Sequence, residues 1–129
     1  EFLQSLASLL APGGRLLTYC RAAAVRNSLR HAGLELRSLL PKAGEKSEWS
    51  SGTLALCSKN RDQTPPETGP GWCGLSVMEE EHLQTRAGVP YRDPSGTDVA
   101  ASILKRRQQE QAFSYRPSTS AWQRKWKVH

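Results

Sequence analysis

A Pro-Gly-Gly sequence at positions 12–14 places the strongest constraint on how this chain can fold. It lies within residues 10–20, Leu-Ala-Pro-Gly-Gly-Arg-Leu-Leu-Thr-Tyr-Cys, and follows an apolar run with helical spacing. Proline lacks the N–H donor that a helix interior needs, and glycine lets the backbone reverse without a Cβ clash. The sequence therefore predicts a helix at 1–10, a tight turn, and a buried strand at 15–20.

The segments that follow this turn predict an α/β sheet. A helix is predicted at 22–32, and this helix–strand–helix order is typical of a domain with a parallel sheet. Two further apolar segments, 34–40 and 52–58, are joined by a loop without a helical pattern, which favours an antiparallel pair. From this loop together with the family resemblance described below, we predict the spatial order 15–20, 52–58, 34–40, with the last strand in sequence at the centre. Strand 15–20 then keeps an unpaired edge, through which the chain could associate with itself.

Composition divides the chain into four segments. Residues 1–59 hold the predicted strands, and a linker rich in proline and glycine follows at 60–74. A helical extension is predicted at 75–113, and a flexible basic tail at 114–129. Because the first residue is Glu1 and lies inside an apolar helix pattern, we expect the chain to be part of a longer protein.

The net charge of +6 lies entirely in the last quarter of the chain. Residues 1–98 carry 11 basic and 11 acidic side chains, whereas 99–129 carry seven basic and one acidic. Cations interleaved with tryptophan and tyrosine suit an RNA backbone and unpaired bases, although a solvated tail explains the same composition. The candidate RNA-binding residues are Arg106, Arg107, Trp122, Arg124, Lys125, Trp126 and Lys127.

The residues around the Pro-Gly-Gly sequence resemble one particular family. The patterns L-x-P-G-G-x-L-x-T-Y-C and V-R-x-x-L-x-x-A-G are similar to those of the MnmC-like methyltransferases, which modify the wobble uridine of tRNA. Residues 75–94 are similar to the C-terminal extension of the cyanobacterial members. The residues that carry the resemblance in the first part are Pro12, Gly13, Gly14, Thr18, Tyr19, Cys20, Val25, Arg26, Leu29, Ala32 and Gly33.

This resemblance implies an α/β fold that is the C-terminal portion of a class I (Rossmann-like) methyltransferase sheet, with an appended helical tail. It implies S-adenosylmethionine as the cofactor of the full-length protein only. The family's cofactor loop, acidic ribose-binding residue and Asp-x-Phe-Ser-Pro motif precede this strand, and none occurs in the sequence. We therefore expect no catalytic or cofactor-binding residue here, and an inactive chain when isolated.

The implied substrate is the aminomethyl group of modified wobble uridine, which makes tRNA the expected partner. The alternative is a non-catalytic RNA-binding or assembly module that retains half of the fold. Upstream sequence distinguishes the two, because only the enzyme needs a glycine-rich cofactor loop there.

Four residues are candidates for substrate binding. Tyr19 and Cys20 end the first strand at its carboxyl edge, where α/β sheets place ligands, although core packing explains them equally. Arg26 matches the family pattern on a helix face that we expect to be solvated. Lys46 lies in a loop that resembles a Gly-x-Lys-Arg-Glu stretch of the family, and loops often carry function.

Other patterns predict no site. The G-x-G-x-x-G match at 69–74 is separated from the preceding strand by ten linker residues, so it does not predict a cofactor loop. The Glu-Glu-Glu-His run at 79–82 has no second histidine at ligand spacing, so no metal site is expected. An odd count of three cysteines indicates a reducing cytoplasm, and no apolar run is long enough to predict a membrane span.

Overall fold

The computed structural model describes residues 2–42, 49–58 and 65–128. The helices and strands follow one another along the chain in the order that the apolar patterns predicted for its first half. They are α1 (Phe2–Leu9), β1 (Arg15–Thr18), α2 (Ala23–His31), β2 (Glu35–Leu39), β3 (Gly52–Leu56), β4 (Thr68–Gly69), β5 (Trp72–Cys73), α3 (Val77–Leu83), a 3-10 helix (Arg86–Gly88), α4 (Ala100–Ala112) and α5 (Thr119–Trp126).

The sheet confirms the predicted order of the first three strands. Its strands lie in the order β1-β3-β2-β5-β4, so β3 is inserted between β1 and β2. Ala55 of β3 lies opposite Leu16 of β1 and opposite Leu36 of β2, and both pairings are antiparallel. The predicted α/β fold class is therefore confirmed, and the arrangement is consistent with the partial sheet that the resemblance implies.

The parallel sheet expected from the element order is not formed by the described strands. β1 and β2 run in the same direction, but β3 separates them and is antiparallel to both. The reason is that the sequence between β2 and β3 has no helical pattern for a crossover, and neighbouring strands joined by a loop reverse direction. In the described part of the chain, the other edge of β1 has no paired strand, as predicted.

The core lies between β3 and the helices that cover it. β3 is buried along its whole length, which explains its apolar sequence on both faces. The turn at 12–14 is tied to the end of this strand, because the N–H of Gly13 donates to the Cys57 carbonyl over 2.8 Å. The buried apolar cluster consists of Ala7, Leu29, Leu34, Leu36, Ala55 and Cys57.

The segment predicted as a linker extends the sheet instead. Strands β4 and β5 form a hairpin within 60–74, and Trp72 of β5 pairs with Leu39 of β2. Gly71 has a φ of 79° at the turn, and its carbonyl accepts from the N–H of Leu40 over 2.8 Å. The G-x-G-x-x-G match is therefore this hairpin. Its composition resembled a linker because a tight hairpin also needs glycine and proline.

The structure also differs from the flexible tail that composition indicated at 114–129. Helix α5 begins at a Ser118 cap, whose hydroxyl accepts from the N–H of Ala121 over 3.1 Å. Its Trp122 side chain is only 6% exposed and packs against α3. Local composition could not show this, because the partner of Trp122 lies 44 residues earlier in the chain. Among the described helices, none has the length and apolar character needed to cross a bilayer.

Candidate functional site

The carboxyl end of β1 lies directly beside the start of β3. Thr18 pairs with Thr53, and the Thr53 hydroxyl donates to the Cys20 carbonyl over 2.8 Å. Gly52 has a φ of 152°, and a Cβ at this position would overlap the Thr18 carbonyl. The two strand ends therefore meet through backbone contacts that require glycine.

Tyr19 and Cys20 occupy this edge with different exposure. The Tyr19 side chain is 92% exposed, so it does not pack in the core. Cys20 is half-buried, and its N–H donates to the Thr18 hydroxyl over 3.1 Å. Of the two predicted candidates at this edge, Tyr19 is thus the one whose side chain a large ligand can reach.

Arg26 is buried, and the expected solvated face is wrong for this residue. Its side chain is 0% exposed, and its guanidinium reaches from α2 under the start of β3. The planar guanidinium suits a position enclosed by several acceptors, because its donors point in fixed directions. The acceptors are the Glu79 carboxylate at 2.7 Å, the Thr53 hydroxyl at 2.8 Å, the Gly52 carbonyl at 3.0 Å and the Ser50 hydroxyl at 3.1 Å.

This arrangement makes Arg26 a residue that holds the site rather than one that meets a substrate. The helical pattern predicted solvent exposure because Arg26 is charged. Its partner Glu79 lies near the start of α3, where the Glu79 N–H donates to the Ser76 hydroxyl over 3.2 Å and caps the helix.

The segment just before β3 is tied to its neighbours by several polar contacts. The Ser38 hydroxyl of β2 donates to the Ser50 hydroxyl over 2.8 Å. The N–H of Ser51 donates to the Leu39 carbonyl over 2.9 Å. From the other side, the guanidinium of Arg21 donates to the Ser50 carbonyl over 3.3 Å. Ser50 and Arg21 were not among the sequence candidates, since small serines and a solvent-facing arginine carry no pattern of their own.

Three aromatic rings pack beside this segment. The rings of His82 and Trp122 stack with centroids 4.2 Å apart. Trp49 meets both edge-on, at 5.8 Å from His82 and 6.0 Å from Trp122. The Arg21 guanidinium lies 4.4 Å from the Trp49 centroid, which is a cation–π contact. We call Trp49, His82 and Trp122 the aromatic cluster.

Burial and charge hold His82 of the aromatic cluster in its neutral form. Its pKa is lowered to about 4, first by burial and then by the positive charges of Arg26 and Arg21, while Glu79 opposes the change. Its Nδ1 atom is buried without a hydrogen-bond partner among the described residues, and the same holds for the indole nitrogen of Trp49. A neutral, stacked imidazole of this kind contributes packing rather than charge.

The three glutamates of the Glu-Glu-Glu-His run each form an ion pair with a residue of another helix. Glu79 pairs with Arg26, Glu80 pairs with Arg30 at 2.9 Å, and Glu81 pairs with Lys125 at 2.8 Å. Within the described ranges, no group of three or more histidine, cysteine or acidic residues is arranged to hold a metal ion.

The three cysteines are free thiols. Burial raises the pKa of the Cys73 thiol, and the nearby charge of Glu79 adds to this increase. A raised pKa reduces the thiolate that a nucleophile needs at neutral pH. Cys73 is therefore not an activated nucleophile.

Several of the predicted RNA-binding residues are engaged within the chain. Trp122 is buried, and its indole N–H donates to the Met78 carbonyl over 2.8 Å, so it is not placed to stack on a base. The Trp126 indole and the Lys125 amine both donate to Glu81 over 2.8 Å. Hydrogen bonds from Lys125 and then Trp126 lower the pKa of that carboxyl group.

The two predicted arginines of α4 contact the segment that precedes this helix. Arg106 forms a 2.5 Å ion pair with Asp98, and Arg107 donates to the Val89 carbonyl over 2.8 Å. Arg124 and Lys127 are exposed, so they are the predicted cations best placed to meet a phosphate. Lys46, the remaining substrate candidate, lies outside the described residues.

The first part of the chain is similar to one known family. Residues 1–55 match the model of a family described as S-adenosyl-L-methionine-dependent methyltransferase. The match covers α1 to β2 and most of β3, which are the segments that place Tyr19, Cys20 and Arg26. It supports a methyltransferase family of this cofactor class for this part of the chain. Comparisons with curated proteins and with solved structures gave no match.

Proposed function

We propose that this chain is the C-terminal part of an S-adenosylmethionine-dependent methyltransferase that acts on the aminomethyl group of modified wobble uridine in tRNA. The observation that carries the proposal is the insertion of β3 between β1 and β2, within the region that matches the methyltransferase family. This arrangement leaves the carboxyl end of β1 open, with the Tyr19 side chain exposed at the edge where α/β sheets bind ligands.

The described residues do not fit the cofactor. A nucleotide-type cradle needs a glycine-rich turn between a strand and a helix N-terminus. The G-x-G-x-x-G sequence at 69–74 instead forms the hairpin of β4 and β5, and Gly13 and Gly14 follow a helix and precede a strand. We therefore propose that residues beyond this chain bind S-adenosylmethionine, and that this chain supplies the substrate side.

The residues on the substrate side need only position the amine and exclude water from it. Methylation of an amine depends chiefly on positioning and desolvating the reacting groups. The site has features suited to that task, because Arg26 and the aromatic cluster hold the segment before β3 against the end of β1. A strong acid or base is not required of these residues.

Exposed cations near the C-terminus would contact the tRNA backbone. Arg124 and Lys127 are exposed on and just after α5, and Lys105 is exposed on α4. Tyr115 is fully exposed between these helices and offers a ring on which a base can stack. The proposed contact is electrostatic and independent of sequence, because phosphates are its targets.

The same proposal assigns the protein to the cytoplasm. Its three cysteines are free, which suits a reducing compartment.

The test is methyl transfer from tritiated S-adenosylmethionine to bulk tRNA. The protein assayed contains this chain together with the residues that precede it, and ribonuclease treatment is the control. We expect label in the RNA, and none when residues 1–129 are assayed alone. RNA binding without any transfer would instead identify a non-catalytic RNA-binding module.

A further inference from the structure

We propose that α3 and α5 position the segment before β3 at the carboxyl end of β1, which makes Trp122 and Glu79 positioning residues for substrate. This inference rests on the proposed function, because it assigns α3 and α5 a role in that same site. The segment concerned consists of Trp49, Ser50 and Ser51, and we call it the entry segment of β3.

The first connection is aromatic. Trp49 of the entry segment meets His82 of α3 and Trp122 of α5 edge-on, with centroids 5.8 and 6.0 Å away. Edge-to-face contacts at such distances are favourable for aromatic rings. The opposite partner of Trp49 is Arg21, whose guanidinium is 4.4 Å from the ring. Trp49 thus contacts Arg21, which lies between β1 and α2, and both α3 and α5.

The second connection is ionic. The Glu79 carboxylate of α3 accepts from Arg26 over 2.7 Å, and both side chains are buried. The same guanidinium donates to the Ser50 hydroxyl and to the Gly52 carbonyl. Glu79 therefore fixes the arginine that in turn fixes the entry segment. Loss of the carboxylate would leave a buried guanidinium without its counter-charge.

The residues that follow the entry segment, Gly52 and Thr53, contact the end of β1 directly. Gly52 lies against the backbone of Thr18 and Tyr19, and no side chain would fit between them. The Thr53 hydroxyl donates to the Cys20 carbonyl over 2.8 Å. A displacement of the entry segment would therefore alter the backbone that carries Tyr19.

Helix α5 is joined to α3 by more than one contact. Variants of Trp122 can therefore be compared while the other contact remains. The Trp122 indole N–H donates to the Met78 carbonyl, and Lys125 pairs with Glu81. Trp122→Phe would keep an aromatic ring beside Trp49 while losing the hydrogen bond and part of the indole's packed area. Alanine would remove the ring.

Hydrogen exchange of residues 1–129 tests whether the helices order the entry segment. We expect Trp122→Ala to raise exchange at the Ser51 and Gly52 amides about tenfold, and Trp122→Phe to restore it close to wild type. Amides of the β1–β3 ladder report global unfolding and should change less. Arg30→Ala is the matched control, since it removes the exposed contact between α2 and α3 without touching Trp49. Unchanged exchange in Trp122→Ala would overturn the proposal.

Kinetics of the longer protein test the substrate role separately. For Trp122→Ala we expect KM for tRNA to rise about tenfold, with a smaller change in kcat and recovery in Trp122→Phe. Increased exchange with an unchanged KM would overturn the positioning role while the methyltransferase assignment stands. If the wild-type longer protein transfers no methyl group, the proposed function fails, and hydrogen exchange alone decides whether the helices order the segment.

Discussion

The Arg26 guanidinium and the Glu79 carboxylate form a 2.7 Å ion pair across 53 residues of sequence, and both side chains are buried. Two charges in a protein interior are stable only when their remaining hydrogen-bonding atoms also find partners. Arg26 meets this requirement through Thr53, Ser50 and Gly52. The pair joins the part of the chain that matches the methyltransferase family to the helices that follow it.

Breaking this ion pair from one side should destabilise the chain strongly. We expect Glu79→Gln to lower the free energy of unfolding by about 3–5 kcal/mol, because Arg26 keeps a buried charge without its partner. The double variant Arg26→Met/Glu79→Leu should lower the free energy of unfolding by less than Arg26→Met and Glu79→Leu do in sum. Urea unfolding measures both effects.

The matched control is the exposed pair Arg30 and Glu80, which joins the same two helices at the surface. Its single variant Glu80→Gln should change stability by about 1 kcal/mol or less. Equal costs for Glu79→Gln and Glu80→Gln would contradict this account of Arg26.

Protonation of His82 should oppose folding. Its pKa is lowered to about 4 in the folded chain from an ordinary value of 6.5, so the unfolded state binds the proton more tightly. Stability contributed by the neutral ring is complete above pH 6.5 and is lost as the pH falls towards 4. The loss is at most about 1.4 kcal/mol per pH unit in this window.

Urea unfolding at several pH values checks this, with His82→Phe as the comparison. Phenylalanine retains a flat ring beside Trp122 and cannot take up a proton. The free energy of unfolding of the wild type should therefore fall relative to that of His82→Phe as the pH falls from 6.5 to 4. Parallel profiles for the two proteins would show that His82 does not titrate as described.

Binding of tRNA should depend on salt through Arg124 and Lys127. Each phosphate contact that is lost should reduce the slope of log affinity against log salt by about 0.7 to 0.9. We expect Arg124→Glu/Lys127→Glu to weaken binding alike for all tRNA sequences, measured by filter binding across salt concentrations. Lys42→Glu is the control, because Lys42 is an exposed cation outside the basic C-terminal quarter. Equal slopes for the wild type and the C-terminal variant would exclude this contact.

The order of the first three strands was predicted from the residues and from the family resemblance together. The apolar runs at 15–20, 34–40 and 52–58 indicated the strands, and the loop without a helical pattern indicated an antiparallel pair. The family resemblance supplied the central place of 52–58. The short hairpin of β4 and β5 escaped prediction because two-residue strands have no period to detect.

The candidate site was less predictable, because its key contacts join distant residues. Arg26 was assigned to solvent on its charge alone, yet a glutamate 53 residues later stabilises it in the interior. Trp122 was assigned to RNA because it neighbours cations, whereas its indole bonds a carbonyl 44 residues earlier. Tyr19 was placed correctly at the open edge of the sheet because its position follows from the end of a strand.

One edge of β1 pairs with no other strand in the described part of the chain, and it should lead residues 1–129 to associate when studied alone. Leu17 is 63% exposed on this strand, and an apolar edge without a paired strand favours pairing with another chain. We expect sedimentation velocity to show concentration-dependent self-association, and Leu17→Lys to reduce it. Leu9→Lys, an exposed change on α1, is the control and should have a smaller effect. A monomer at all concentrations would contradict this expectation.

Identification of the methylated nucleoside tests the central claim most directly. Protein that contains this chain and the residues before it is incubated with tritiated S-adenosylmethionine and tRNA, and the RNA is then digested and chromatographed. We predict label in the wobble uridine of tRNA that carries the aminomethyl substituent, and none in tRNA that lacks this substituent. Label in another nucleoside, or equal labelling of both tRNA preparations, would contradict the proposed function.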